Sequence, residues 1–414
     1  MLIENIDFNS VKDYLHLERY VNNGSPSGFT EKYTTSPRTS AKGLYENFYL
    51  CSIDIQSDIL THDYGSIPSF FHKFGMLIHP DMICDKLFSN FKTINKNALL
   101  VAPTASSRTV KVMDKEGWFI KLNYKGLIGR IDRQISKNQA LSAIEVSSII
   151  TKAIEDGKLP ASFFFLREVF GHVIELPNNN GYYDWGVVLR EPKAFPNNSK
   201  IKFLIPAFSL FSIDVKNPSD DTILTQLIKK QDKDVEDFLL YDIILPLYEG
   251  YFKLLINCGL QLECHSQNTL FAIGKNFDII GFISRDGESI DKDISLMDEL
   301  NISNNIITKR YKCLFREDYN YNIMHSFMFD FKLGEYLISP IINDAYKNFH
   351  FNRKRLIDTI KQYNDDFIKQ LPNDFFPENG NWYYYENIIH DRTQKRNYIA
   401  SKNPKFRITC TESQ

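Results

Sequence analysis

The middle third of the chain limits its possible folds most. From Ala98 to about Ile213 the apolar residues fall into short runs: Leu99 to Val101, Thr109 to Val112, Trp118 to Leu122, Tyr183 to Leu189 and Ile201 to Leu204. These runs are β-branched or aromatic and are bounded by Pro, Asn and Gly, which is strand patterning. One helical stretch interrupts them, Ser142 to Gly157, with Ile144, Val146, Ile149, Ile150 and Ile154 near helical spacing and Gly157 as the stop. A β-rich region therefore has to pack against whatever flanks it.

Beyond this region the pattern turns helical. Asp232 is a candidate N-cap, Val235, Phe238, Leu239 and Tyr241 to Leu245 give an apolar face, Pro246 should kink the helix, and Gly259 should end it. Ser289 to Gln414 reads as mostly helical, with Lys347 to Gln370 the clearest piece. The expectation is an α+β protein in three parts: an N-terminal segment 1–95, a β-rich part 96–215, and a helical part 216–414 that contains a polar hairpin at 259–288. Asn22 to Ser40 reads as an exposed loop.

At 414 residues the chain has room for two or three domains and a cleft between lobes. Its 49 basic and 51 acidic side chains leave a net charge of −2, so there is no basic footprint for nucleic acid or an anionic membrane. The most apolar run, Tyr241 to Leu255, contains Asp242, Pro246, Glu249 and Lys253 and cannot cross a bilayer. The start, MLIENIDFNSVKDYL, lacks the basic and apolar regions of a secretory signal. Six scattered cysteines without a CxxC pair read as reduced thiols, which predicts a cytoplasmic protein without a zinc site.

The most informative stretch is GLQLECHSQNTLFAIGKNFDIIGFISRDGE, from Gly259 to Glu288. A polar cluster of Glu263, His265, Gln267 and Asn268 precedes an apolar strand, Gly274 to Asn276 turns the chain, and a second strand ends in Arg285-Asp286. Such a hairpin brings His265, Asn268 and Asp286 to one end of a sheet. Asn268 and Asp286 offer hard oxygen ligands suited to Mg²⁺. The bland alternative is a polar turn with His265 satisfied by Glu263. Kinases also place an Asn and an Asp in this way, but Gln267 stands where a catalytic carboxylate is needed, so phosphotransfer is the weaker reading.

A second constellation, Ala102 to Thr109 (APTASSRT), sets Ser106, Arg108 and Thr109 in a turn before a strand, with Lys121 and Arg133 downstream. Hydroxyls beside a guanidinium suit phosphate or carboxylate recognition, and an ordinary solvated loop is the alternative. Arg190-Glu191 at a strand end reads more readily as a solvated edge. Trp382 to Tyr385 reads as a packing strip and the basic tail, including Arg392, Lys395, Arg396, Lys405 and Arg407, as a solvated face.

In order along the chain, APTASSRTVKV, WFIKL with Arg133 twelve residues after Lys121, GVVLREP, and LQLECHSQNTL with ISRDGES resemble the motifs of the IucA/IucC family of siderophore synthetases, which act without a non-ribosomal peptide synthetase. The resemblance implies a hand-like fold of β-rich fingers and a mostly helical palm, here with the thumb reduced or absent. It implies ligation dependent on ATP and Mg²⁺: a citrate-like polycarboxylate is activated as an acyl-adenylate and captured by an amine or alcohol. Homodimers are common in that family.

By position, Ser106, Arg108, Thr109 and Lys121 would hold phosphates, and Arg133, His265 and Gln267 would act at the carboxylate. Glu263 and Asn268 would serve the nucleotide, with Asn268 and Asp286 on the metal. Three features depart from the family pattern. The thumb's His-Pro motif with its Lys has no counterpart, Ile78-His79-Pro80-Asp81 replaces a later His-Pro-Trp-Gln element, and Gly129, Arg130 and Asp132 replace small hydroxyl residues. The alternatives these leave are a relative or subunit that binds ligand without turnover, and a kinase-like enzyme.

Overall fold

The computed structural model describes residues 1–23, 38–89, 91, 94–128, 131–178, 181–302, 312–384 and 398–409. Its largest sheet has eight strands in the order Thr61–Gly65, Glu168–Asn178, Gly181–Arg190, Phe119–Leu122, Thr109–Val112, Ile94–Pro103, Phe48–Ile53 and Met76–Ile78, every neighbouring pair antiparallel. One face of this sheet closes over its own core, in which Phe88, Phe170, Trp185 and Leu189 are buried. The strand Glu168–Asn178, not anticipated from the sequence, is buried at both alternating positions over most of its length, so it shows no period-two signal.

A second sheet joins Phe163–Phe165, Ile279–Ser284, Thr269–Ile273 and Phe203–Pro206. Here the anticipated hairpin forms, with Thr269 opposite Ser284. It lies in the largest core, among the helices of the C-terminal half. The helix Lys137–Glu155 begins earlier than its apolar spacing suggested, because Ser136 and Gln139 form a reciprocal capping box. It packs on the Glu168–Asn178 strand and on the short turn Gly287–Ser289.

The helix read from Asp232 is capped instead by Asp234, whose carboxylate accepts the Glu236 amide at 2.8 Å. It runs through a π-helical segment, Phe238–Ile244, into the α-helix Leu245–Cys258, which Gly259 ends at φ 64°. Lys347 to Gln370 is not one piece. His350 adopts a left-handed conformation between the helices Ser339–Phe349 and Arg353–Ile368. The end of the chain is less helical than expected, since Asn381–Tyr384 and Ile399–Lys402 pair as strands. Trp382 and Tyr384 pack there on Phe331 as an aromatic strip.

Arg407 is no solvated tail residue: it is buried against Asp330 at 3.0 Å. Arg392, Lys395 and Arg396, like most of the loop 22–40, lie outside the described residues. None of the described helices is long and apolar enough to cross a membrane.

Candidate active site

The hairpin end, the 104–109 turn and the strand ends of the large sheet meet in one buried cluster. Lys121 sits on the inward side of the Phe119–Leu122 strand with 3% of its surface exposed. Its ammonium pairs with Asp286 and lies 2.6 Å from Glu288 Oε2. Burial alone would lower its pKa, but the two carboxylates outweigh that and raise it. Arg190, at the end of the Gly181–Arg190 strand, points inward and not to solvent as an isolated strand-end Arg suggests. Its Nη2 is 2.7 Å from Glu168 Oε1 and 3.6 Å from Asp286 Oδ1. Glu191, its neighbour, turns away to Arg167 at 2.7 Å.

Asp286 adopts φ 77° and ψ 69°, a left-handed conformation uncommon for a residue with a side chain. The next residue explains how this is held. Gly287 donates its amide to Glu168 Oε2 at 3.0 Å, and a Cβ there would lie 3.1 Å from both that carboxylate and the Ala143 carbonyl. Gln139, on the long helix, donates to Glu288 Oε1 at 3.0 Å. Burial pushes the Glu288 pKa up, but Lys121 prevails and holds it at about 2; Asp286 is depressed further, by Lys121 and Arg190 against the same cost of burial.

Arg108 lies 3.9 Å from Glu288 and donates to the Arg133 carbonyl at 2.9 Å. Arg133 donates Nε to the Ile128 carbonyl at 3.1 Å. Burial and the neighbouring Arg108 lower its pKa to about 10, opposed by Glu288, Asp286 and Glu263. Arg108, Lys121, Arg133 and Asp286, chosen from sequence, thus share one field. Ser106 serves the turn instead, its Oγ accepting the Thr109 amide at 3.1 Å, while Thr109 stands directly opposite Lys121 on the neighbouring strand.

The other half of the site is the 263–268 loop. His265 is 4% exposed and 3.9 Å from Glu263, and burial lowers its pKa to about 4, so it is a neutral imidazole at pH 7. Its Nδ1 accepts the Gln267 amide at 3.2 Å. Glu263 meets Lys332 at 3.1 Å and Lys312 at 3.9 Å, and these lysines overcome its burial and depress its pKa. Lys312 also donates to the Ser289 carbonyl at 2.9 Å, and Asn268 donates to Ser289 Oγ at 3.0 Å. Ser289 Oγ donates in turn to the Asp286 carbonyl at 2.7 Å, so Asn268 and Asp286 flank one serine at the hairpin end.

Sequence reasoning missed Glu18, Gln139, Glu168, Glu288, Lys312 and Lys332. Only Glu288 carried a usable signal, two residues beyond Asp286. His79, in the departing His-Pro segment, is buried between the rings of Phe48 and Tyr124, each 5.2 Å away. Residues 129 and 130 lie outside the described residues.

No protein-family profile and no curated protein matches the sequence. Solved structures do. The petrobactin biosynthesis protein AsbB of Bacillus anthracis superposes with a TM-score of 0.69 at 12% identity, over 95% of this chain and 75% of that one. ATP-bound aerobactin synthetase IucA from a hypervirulent pathotype of Klebsiella pneumoniae gives 0.65 at 14% identity, over 86% of this chain and 70% of its own. Aerobactin synthetase IucC from the same source gives 0.63 at 13%, over 89% and 72%. The chain has the α+β fold of the IucA/IucC-type siderophore synthetases, the fold its motifs resemble.

Proposed function

We propose that this protein is an ATP-dependent ligase of the siderophore-synthetase type, joining a citrate-like polycarboxylate to an amine or alcohol. The observation that carries the reading is the convergence of buried Arg108, Lys121, Arg190 and Glu288 with half-buried Arg133 and Asp286 at the end of one hairpin. The donor set fits a polyphosphate. Four cations face three carboxylates, buried Glu168 and Glu288 and half-buried Asp286, and Arg190 Nε is a buried donor without a hydrogen-bond partner among the described residues. Among those residues no group of three His, Cys, Asp or Glu side chains could hold a metal by itself, so Mg²⁺ would draw ligands from phosphate as well as from Asp286 and Asn268.

ATP would supply the activating adenylyl group and a pyrophosphate leaving group. The chain's own residues would neutralise phosphate charge through Arg108 and Lys121, hold the carboxylate against Arg133, Gln267 and neutral His265, and exclude water by burial. His265, uncharged and with Nδ1 occupied as an acceptor, carries its proton on Nε2 and can donate a hydrogen bond to a reacting oxygen without repelling a nearby cation.

The test is incubation with ATP, Mg²⁺, hydroxylamine and either citrate or 2-oxoglutarate. Carboxylate-dependent pyrophosphate and hydroxamate are expected. ATP binding without turnover would make the chain a binding relative, and phosphate transfer without pyrophosphate would make it a phosphotransferase. His265→Ala and Arg108→Ala should each abolish turnover in folded protein, and wild-type rates in both would sink the assignment.

A further inference from the structure

The helix Val11–Tyr20 buries Glu18 completely and aims it at two separate loops. Glu18 Oε2 accepts the Ala105 amide at 3.1 Å, in the turn that carries Ser106 and Arg108. Its Oε1 takes the Arg285 guanidinium at 2.5 Å and the Tyr14 hydroxyl at 2.7 Å. Arg285 in turn donates Nε to the Gln267 carbonyl at 2.9 Å, and its amide to the Asn268 carbonyl at 3.0 Å. The next residue of the helix adds a second strut. Arg19 donates to the Ala41 carbonyl at 2.7 Å, and the Ala41 amide donates to Ser107 Oγ at 3.0 Å.

A buried ion pair is a poor device for stability alone, because desolvating both charges costs several kcal/mol before they attract each other. It is a good device for fixing register, since its partners accept one geometry only. Burial opposes ionisation of Glu18, yet Arg285 prevails and keeps it a carboxylate.

We propose that Glu18 is a positioning residue of the site: one carboxylate holds the phosphate-side turn 104–109 and the carboxylate-side loop 265–268 at a fixed separation. The inference rests on the synthetase reading above. A reaction that depends on placing a phosphate and a carboxylate against each other loses rate when the two cradles drift, even where each still binds its own ligand. A pair that served the fold alone would lower stability and leave the turnover of folded molecules unchanged.

The test compares full-length wild type with Glu18→Ala, which cuts both ties, and Glu18→Gln, which keeps an acceptor for Ala105 and loses the charged tie. Hydrogen exchange is followed at the amides of 104–109 and 265–268, and carboxylate-dependent pyrophosphate release gives kcat and KM. In Glu18→Ala both loops should lose protection together, while kcat falls about tenfold or more and both KM values stay within about twofold. If that variant does not fold, Glu18→Gln should loosen 265–268 and lower kcat in the same sense. Wild-type protection of both loops, or a raised KM with unchanged kcat, in a folded variant would overturn the proposal. A wild type without turnover would sink the synthetase reading, and the exchange pattern would then decide the role of Glu18 by itself.

Discussion

Lys121 reaches across 167 residues of sequence to place its ammonium 2.6 Å from Glu288, and Asp286 closes on the same nitrogen. Removing the ammonium would leave Glu288 buried and Asp286 half-buried without their nearest cation, with Arg108 at 3.9 Å and Arg190 at 3.6 Å the next. Lys121→Met should therefore destabilise the protein by about 3–5 kcal/mol, the usual cost of stranding a buried charge. Adding Glu288→Gln should recover part of that loss. Urea midpoints of the single and double variants check both; a single variant within about 1 kcal/mol of wild type would show that the cluster is solvated.

That pairing also shows what the sequence could and could not reveal. Arg108, Lys121 and Asp286 sit in short motifs with a chemical logic of their own, and the hairpin between Thr269 and Ser284 has a turn and apolar strands that specify it locally. Glu18 and Glu168 carry no such mark. Each is one acidic residue in an ordinary local pattern, and its role comes from partners 87 to 267 residues away for Glu18 and 22 to 119 for Glu168. Arg190 misleads for the opposite reason: a strand end is normally wet, and only the packing of Glu168 and Asp286 around it reverses that. The break at His350 is likewise invisible to periodicity, because the apolar spacing continues on both sides of it.

The histidine in the 263–268 loop should leave its trace in acid. Burial lowers its pKa from 6.5 in the free side chain to about 4 in the fold. The unfolded chain thus takes up a proton first as pH falls, and stability is lost between about 6.5 and about 4. The full effect is about 3 kcal/mol. Glu288 adds a second loss lower down, between about 4.5 and about 2, where its ion pair with Lys121 is protonated away. Buried His79, also lowered to about 4, shares this window, so His265→Asn should make the first limb of a plot of urea midpoint against pH shallower and leave the second; an unchanged first limb would mean that His265 is hydrated.

Lys332 belongs to a π-helical segment, Phe327–Ile338, and is buried with its ammonium 3.1 Å from Glu263. Its charge also acts on His265, which on the proposed reading faces the carboxylate. Lys332→Met should lower kcat/KM for the polycarboxylate by about tenfold or more, a loss of at least ~1.4 kcal/mol, while Mg-ATP affinity changes less than about twofold. Equal losses for both substrates, measured by calorimetric titration and initial rates, would place Lys332 in the general scaffold instead.

Glu168 divides its two oxygens between a side chain and a main-chain amide: Oε1 takes Arg190 at 2.7 Å and Oε2 takes Gly287 at 3.0 Å. Both partners adjoin Asp286, so the carboxylate fixes the guanidinium and the left-handed turn at once. Glu168→Gln can still accept from Gly287, but it withdraws the negative charge opposite Arg190 and leaves that cation to Asp286 alone. Arg190 should then draw toward Asp286 and compete with Lys121 for it, which weakens the cradle for phosphate. The expected outcome is a folded protein with Mg-ATP affinity lowered about tenfold, near 1.4 kcal/mol, and a double variant Glu168→Gln/Asp286→Asn that loses less than the sum of the two single losses, because both act through the same carboxylate. Affinity losses that add across the two substitutions would show that Glu168 and Asp286 act on the site independently.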